Sequence, residues 1–108
     1  MINTEMAFDM LPAVVDLYDK LDIDVYIKKM SEENKGKKLD EKSLGINLFK
    51  FVLKNSSKVK NEVFEIVAVF EEKTVEEVKS QNFMLTIGTF KAIFTDKEAV
   101  SFFKQAMR

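Results

Sequence analysis

The sequence contains no cysteine, no histidine and no tryptophan, and it has only one proline and three glycines in 108 residues. Without cysteine the chain forms neither disulfides nor thiolate metal sites. Without histidine it lacks the commonest general base and the commonest metal ligand. The short signatures of nucleotide-binding loops and hydrolase nucleophiles are absent as well. We therefore expect a protein that is not an enzyme and that binds no cofactor and no metal.

An excess of charge of either sign is also missing, because 17 basic residues stand against 18 acidic ones and the net charge is -1. Binding to a nucleic-acid duplex needs a clustered basic face, so we expect no nucleic-acid partner. Apolar runs are interrupted by charged residues well before the ~18 residues of a membrane span, so no membrane association is expected. The first ten residues carry Glu5 and Asp9 and no basic residue, unlike a signal peptide. These features together predict a cytoplasmic protein.

Strong helix formers dominate the chain, and its apolar residues recur at helical spacing. The length fits one domain, residues 1–108. We predict an all-α fold of about six or seven short helices joined by tight loops. The predicted buried stripes include Leu11, Val14, Val15 and Tyr18; Ile23, Tyr26, Ile27 and Met30; Leu44, Leu48, Phe49 and Val52; Val59, Val63, Ile66, Val67 and Phe70; and Phe83, Ile87, Phe90 and Phe94.

Capping residues predict where several of these helices begin. In chain order the predicted caps are Asp9 just before Pro12, Ser56 or Ser57, the capping box Thr74–Glu77 and the capping box Thr95–Glu98. Residues 2–8 are expected to form a separate helical turn. Gly88 in the middle of a helix costs about 1 kcal/mol relative to Ala, which suggests a close helix crossing at that position.

Two segments stand apart from this pattern. Residues 34–42, NKGKKLDEK, are charged and nearly free of apolar anchors, which predicts a flexible, solvated loop open to proteolysis. Residues 44–53 also show some alternation of apolar and polar residues. Helix is the favoured prediction there, and a strand remains the alternative.

Clustered charges allow functional interpretations that we weigh against ordinary surface chemistry. Glu71, Glu72, Glu76 and Glu77 surround the turn at Thr74, where they could bind a divalent metal ion. Helix surfaces of small domains are normally rich in carboxylates, so a solvated face is favoured. The lysines of residues 34–42 could contact an anionic surface, although a solvating loop is again favoured.

Phenylalanine is frequent, with ten in the chain, most of them after residue 63, and the Phe-rich face is the one feature that stands out. A Phe-built core is the favoured interpretation. The alternative is an apolar surface for a partner helix or a second copy of the chain, since Met and Phe are enriched at adaptable interfaces. Phe103 shares a helix face with Ala99 and Ala106 and is predicted to pack on Phe90 or Phe94. The candidate protein-binding residues are Phe102, Met107 and Met84.

Three stretches carry a resemblance to a known family: MLPAVVDLYDKLDID near the start, VFEIVAVFEEKTVEEVKSQ in the middle and IGTFKAIFTDKEAVSFFKQA near the end. The chain resembles the small tail assembly chaperones of tailed bacteriophages and prophages of Gram-positive bacteria. The resemblance implies a non-enzymatic protein that binds the tape measure protein and assists the tail tube protein to polymerise. It assigns no individual residues, because the family has no short motif to match. The alternative functions are a small helical regulatory or adaptor protein and, less favoured, a carboxylate-based metalloenzyme.

Overall fold

The structure, a computed structural model, describes residues 3–33 and 41–106, and for residues 41, 42 and 102–106 it describes the backbone alone. This part of the chain holds seven helices and no strand. The helices are α1 (Thr4–Leu21), α2 (Ile23–Glu33), α3 (Glu41–Lys54), α4 (Ser56–Glu71), α5 (Val75–Ser80), α6 (Phe83–Thr95) and α7 (Lys97–Ala106). The all-α prediction is confirmed, and the alternative of a strand within residues 44–53 was wrong.

The pairing of α1 with α4 joins the two longest helices of the described chain. Their apolar stripes meet in one buried cluster, to which α1 contributes Met10 and Leu17 and α4 contributes Ile66 and Val67. The helical spacing of these residues places them on one face of each helix, and burying that face is the main source of helix stability in a protein. The predicted stripe of α4 is therefore the core face of the central helix.

A second set of contacts joins α3, α6 and α7. Phe90 of α6 packs on Phe49 of α3 with ring centroids 5.8 Å apart, and on Phe94 with centroids 4.8 Å apart. Gly45 of α3 lies against the backbone carbonyl of Phe94, where any Cβ atom would overlap it. The close crossing predicted at Gly88 was wrong, because a Cβ there would meet no atom within 4 Å.

Helix α2 contacts α3 through the aromatic residue Tyr26. The Tyr26 ring stacks on Phe51 with centroids 4.0 Å apart, and the Tyr26 hydroxyl donates to the Asn47 carbonyl at 3.4 Å. The same side of α2 buries Ile23 and Met30, as its predicted stripe requires. Val25 lies off that face and is exposed.

The start of α1 differs from the prediction. Asn3, and not Asp9, caps the helix: its side-chain oxygen accepts a hydrogen bond from the Met6 N–H at 2.8 Å. Residues 4–8 are thus the first turns of α1 and not a separate helical turn. Pro12 lies inside the helix, where it removes the hydrogen bond to the Phe8 carbonyl. Phe8 is exposed, and the helix continues past Pro12 to Leu21.

Two other predicted caps also differ in the structure. Asp96, and not Thr95, accepts from the first-turn N–H groups of α7, from Glu98 at 2.8 Å and from Ala99 at 3.3 Å. The Thr95 hydroxyl instead donates to the Lys91 carbonyl at 2.9 Å, which belongs to α6. Helix α4 begins at Ser56, and the preceding residue Asn55 makes no side-chain cap.

The predicted capping box at α5 is confirmed. The Glu77 N–H donates to the Thr74 hydroxyl at 3.1 Å, and the Thr74 N–H donates to the Glu77 carboxylate at 3.0 Å. The hydrogen bond from the Thr74 N–H lowers the pKa of Glu77 below its ordinary value, because it stabilises the charged carboxylate, and the Thr74 side chain acts in the same direction. The box explains how a helix of only six residues is stabilised at its start.

The predicted loop at residues 34–42 lies mostly outside the described residues. Only its last two residues are described, and there the prediction of a loop was wrong, because α3 already begins at Glu41.

Candidate functional site

An apolar groove of about 470 Å³ is the main candidate site in the described part of the chain. It lies where the junction of α3 and α4 faces α5 and α6. Its floor is made of core side chains from all four helices, namely Val52, Val63, Val78 and Phe90, each nearly or fully buried. Its volume is within the range of ligand-binding pockets.

The walls of the groove are apolar side chains that the fold leaves partly in solvent. Leu53 and Phe64 stand on one side, and Phe83 and Ile87 of α6 also line it. Phe83 is 71% exposed, although most Phe side chains are at least half buried in folded proteins. The groove therefore presents apolar surface that the described helices do not cover.

The exposed apolar surface continues past the groove along the first turn of α6. Met84 follows Phe83 and is 70% exposed, and Leu85 is 49% exposed. Three consecutive helical residues span about 200° around the axis, so they cannot all face one core. We call these three residues, Phe83, Met84 and Leu85, the α6 apolar tip.

The exposure of Phe83 follows from where the core ends. Phe83, Phe90 and Phe94 share one face of α6, as the sequence predicts, but only the last two are buried. Asn82 caps the helix by accepting from the Met84 N–H at 2.8 Å, which fixes Phe83 in the first turn, beyond the packed part of the face. The same stripe thus serves as core at one end and as groove wall at the other.

The polar residues of the groove are uncharged or positive. Lys60 of α4 and Lys79 of α5 line it, and no Asp or Glu is among its lining residues. Lys79 also contacts Glu76 at 3.6 Å on the outer surface of α5. The first turns of α4 and α6 contribute Ser56 and Phe83 to the lining, and helix N-termini carry partial positive charge. The groove is therefore apolar with a positive edge.

A hydrogen-bonded group of polar side chains behind the groove sets the position of α6 relative to α4. The Glu71 carboxylate accepts from the Thr89 hydroxyl at 2.6 Å and from the Gln81 amide at 3.0 Å. The same amide donates to the Thr86 hydroxyl at 2.9 Å, and Lys73 donates to the Gln81 carbonyl oxygen at 2.8 Å. We call this group the Glu71 network.

The charge state of Glu71 follows from its surroundings. Burial raises the pKa of Glu71, but the hydrogen bonds from Thr89 and Gln81 and the nearby Lys73 ammonium outweigh burial, so the pKa lies below its ordinary value. Glu71 is thus an ionised acceptor at neutral pH. Because Gln81 and Thr86 both line the groove, the network fixes one wall of the site.

Of the three residues predicted to bind a partner, only Met84 has a side chain in the described part of the chain. Met84 is exposed in the α6 apolar tip, beside the groove. Phe102 belongs to α7 but its side chain lies outside the described part, and so does that of Phe103. Met107 lies outside the described residues altogether. The predicted packing of Phe103 and the predicted surface role of Phe102 remain predictions.

Sequence reasoning missed Phe83 and Leu85 as surface residues. Phe83 was assigned to the core because it fits the period of the buried stripe. The available signal was the run of three apolar residues directly after the capping residue Asn82, because such a run must expose part of itself at the helix end.

Three of the four carboxylates around Thr74 make contacts with neighbouring side chains or backbone. Glu71 belongs to the Glu71 network, Glu77 completes the capping box, and Glu76 pairs with Lys79. Among the residues whose positions are described, no group of three or more acidic side chains is arranged to hold a metal ion. Within the same residues, no helix combines the length and the apolar character needed to cross a membrane.

Comparison of the chain with protein-family models gives no match, and comparisons with curated proteins and with solved structures find no significant similarity. The class that the structure itself defines is an all-α protein. The candidate site is defined by its own geometry: an apolar groove, the exposed α6 apolar tip and a positive edge.

Proposed function

We propose that the chain is a non-enzymatic, cytoplasmic chaperone of tail assembly from a tailed bacteriophage or prophage, and that it binds the tape measure protein. The groove and the α6 apolar tip are the proposed contact surface. The observation that carries the proposal is the exposure of Phe83, Met84 and Leu85 at the mouth of an apolar groove. The sequence resemblance to tail assembly chaperones supplies the identity of the partner.

The chemistry of the surface suits a chaperone of a long apolar chain. Apolar residues rimmed by polar ones mark sites of protein contact, and Met adapts its side chain to different partner surfaces. A groove of this kind can shield apolar segments of the tape measure protein before tail tube subunits enclose them. The tail tube protein is the second proposed partner, because it must replace the chaperone during polymerisation.

The direct test is co-expression of the chain with the tape measure protein encoded in the same genome, followed by affinity purification. We expect the two to purify together, and we expect Phe83→Ser to abolish the association. Lys91→Glu is the matched control, because Lys91 is exposed on α6 but does not line the groove. Failure of the native pair to associate would overturn the proposal, and so would full association of the Phe83→Ser variant.

The second candidate function is a small regulatory or adaptor protein that uses the same apolar groove. The groove favours protein binding without naming the partner, so the location of the gene separates the two. A gene between those for the tail tube and the tape measure proteins supports the chaperone. A gene beside a repressor or toxin supports the adaptor.

A further inference from the structure

We propose that the groove selects an amphipathic helix whose apolar face is flanked by acidic residues. This inference rests on the proposed function for the location of the site, and it adds the chemistry of the segment that the site accepts. The partner segment is identified by its charge and conformation, which the lining residues determine.

The conformation follows from the hydrogen bonding of the groove walls. Of the fourteen residues that line the groove, all except Gln81 lie in helices. Backbone groups inside helices already bond to one another, so the walls offer no sheet edge to an extended strand. A strand bound there would leave its own buried N–H and C=O groups without partners, which is costly. A helix satisfies its backbone internally and can insert apolar side chains at positions i, i+3, i+4 and i+7.

The charge preference follows from the sign of the ionisable side chains that line the groove. Glu76, 3.6 Å from Lys79, and Glu71, which accepts from Gln81, lie outside that lining. Lys60 and Lys79 are its charged lining residues, and it has no carboxylate lining. The N-terminal turn of α4 adds positive potential, and Asn55 provides no side-chain cap to that turn. Acidic residues beside the apolar face of a partner helix would meet attraction from each of these groups. Basic residues in the same places would meet repulsion.

The apolar side chains of the partner helix would contact Phe83 and Ile87. They stand one helical turn apart on α6 and border the groove above the buried Phe90. A Leu or Phe side chain of the partner can therefore insert between this wall and Phe64 on α4. The apolar contacts provide affinity, and the lysines select the partner.

The test uses three labelled peptides of about 18 residues, roughly five helical turns. They share one stripe of Leu residues and differ only in the flanking residues, which are Glu, Gln or Lys. Fluorescence anisotropy with the full chain measures each affinity at low and at physiological salt. We expect the Glu peptide to bind most tightly and the Lys peptide least, with about threefold or more between successive peptides at low salt. The differences should shrink as salt is added.

Variants of the chain then assign the preference to the groove. Lys60→Glu and Lys79→Glu should each lower the affinity for the Glu peptide and raise the affinity for the Lys peptide. Lys91→Glu should leave the order of the three affinities unchanged. Phe83→Ser should weaken all three peptides alike. Circular dichroism on each variant confirms that the helices are retained.

Several outcomes would overturn the inference. Equal affinity for the three peptides would show that the groove does not select its partner by charge. If the chain nevertheless co-purifies with the tape measure protein, the proposed function stands and only this inference fails. Conversely, a Glu-peptide preference without capture of the tape measure protein supports the inference and overturns the proposed function. Self-association in sedimentation that is abolished by Phe83→Ser would show that a second copy fills the groove, which overturns the inference.

Discussion

Gly45 of α3 lies directly against the backbone carbonyl of Phe94 in α6, with no room for a side chain between the two helices. A Cβ at this position would also lie 3.0 Å from a methyl carbon of Val100 in α7. The contact joins three helices at one point. Because the neighbour is a backbone atom, it cannot rotate away as a side chain could, and the closeness of α3 to α6 depends on the missing side chain.

Gly45→Ala is therefore expected to destabilise the fold by about 3 kcal/mol, the upper end of the usual cost of overpacking. Gly88→Ala is the matched control in another helix, where the added methyl meets no atom within 4 Å. It should stabilise the protein by roughly 1 kcal/mol through helix propensity. Urea unfolding of both variants measures the difference. If both changes stabilise, the close approach at Gly45 is wrong.

Phe83→Ala and Phe90→Ala should separate surface from core on the same helix. Phe90 is fully buried, so its truncation should cost about 3–5 kcal/mol. Phe83 is largely exposed, so its truncation should change the free energy of unfolding by less than about 1 kcal/mol. Thermal melting of both variants is the measurement. An equal loss of stability in the two variants would place Phe83 in the core and remove the proposed groove wall.

Glu72→Gly should stabilise the protein by up to about 1 kcal/mol. Glu72 follows α4 in the left-handed conformation, with φ of 56°, which costs a non-glycine residue roughly 1–2 kcal/mol. Glycine removes that strain and gives back part of the gain through its greater freedom in the unfolded chain. Glu65→Gly is the matched control: Glu65 is exposed in the interior of α4, and the same change should cost about 1 kcal/mol. If chemical unfolding shows that both variants are stabilised, or that both are destabilised, the left-handed end of α4 at Glu72 is contradicted.

The ion pair between α1 and α4 predicts a pH-dependent stability. Lys20 Nζ donates to Glu62 Oε2 at 2.7 Å, and the other oxygen of Glu62 is buried without a partner among the described residues. The hydrogen bond from Lys20 outweighs burial and lowers the pKa of Glu62 below its ordinary 4.5. The same hydrogen bond raises the pKa of Lys20 above its ordinary 10.5.

The sign of each contribution follows from linkage. The contribution of Glu62 is fully present above pH 4.5 and is lost as the pH falls through the lower folded-state pKa. The contribution of Lys20 is fully present below pH 10.5 and is lost as the pH rises through the higher folded-state pKa. Lys20→Met should therefore lower the melting temperature between these limits, and the difference from the native chain should shrink in acid.

Melting curves from pH 3 to pH 9 measure this difference. Lys50→Met is the control, because Lys50 is exposed on α3. Its effect should be small at every pH. A loss of stability in Lys20→Met that is the same at every pH would show that the lysine contributes packing and not charge.

The sequence alone determined the helical class and most core positions, because helical periodicity is a local property of the chain. The stripe Leu44, Leu48, Phe49 and Val52 is buried as predicted. The capping box at Thr74 and Glu77 formed because both partners belong to one turn. Other helix starts were misplaced, because Asn3 caps α1 six residues before the predicted Asp9 and Asp96 caps α7 one residue after the predicted Thr95.

Only the tertiary structure decided which parts of an apolar stripe are covered. Phe83 and Phe90 have the same place in the helical period, yet one is exposed and the other is fully buried. Likewise, Gly45 and Gly88 both lie within helices of the described chain, and of these two only Gly45 meets a neighbouring backbone. Coverage depends on where a second helix ends, and residues far apart in the chain set that position. The period of a sequence identifies the face of a helix that can be buried, and the arrangement of the other helices decides how far along that face the core extends.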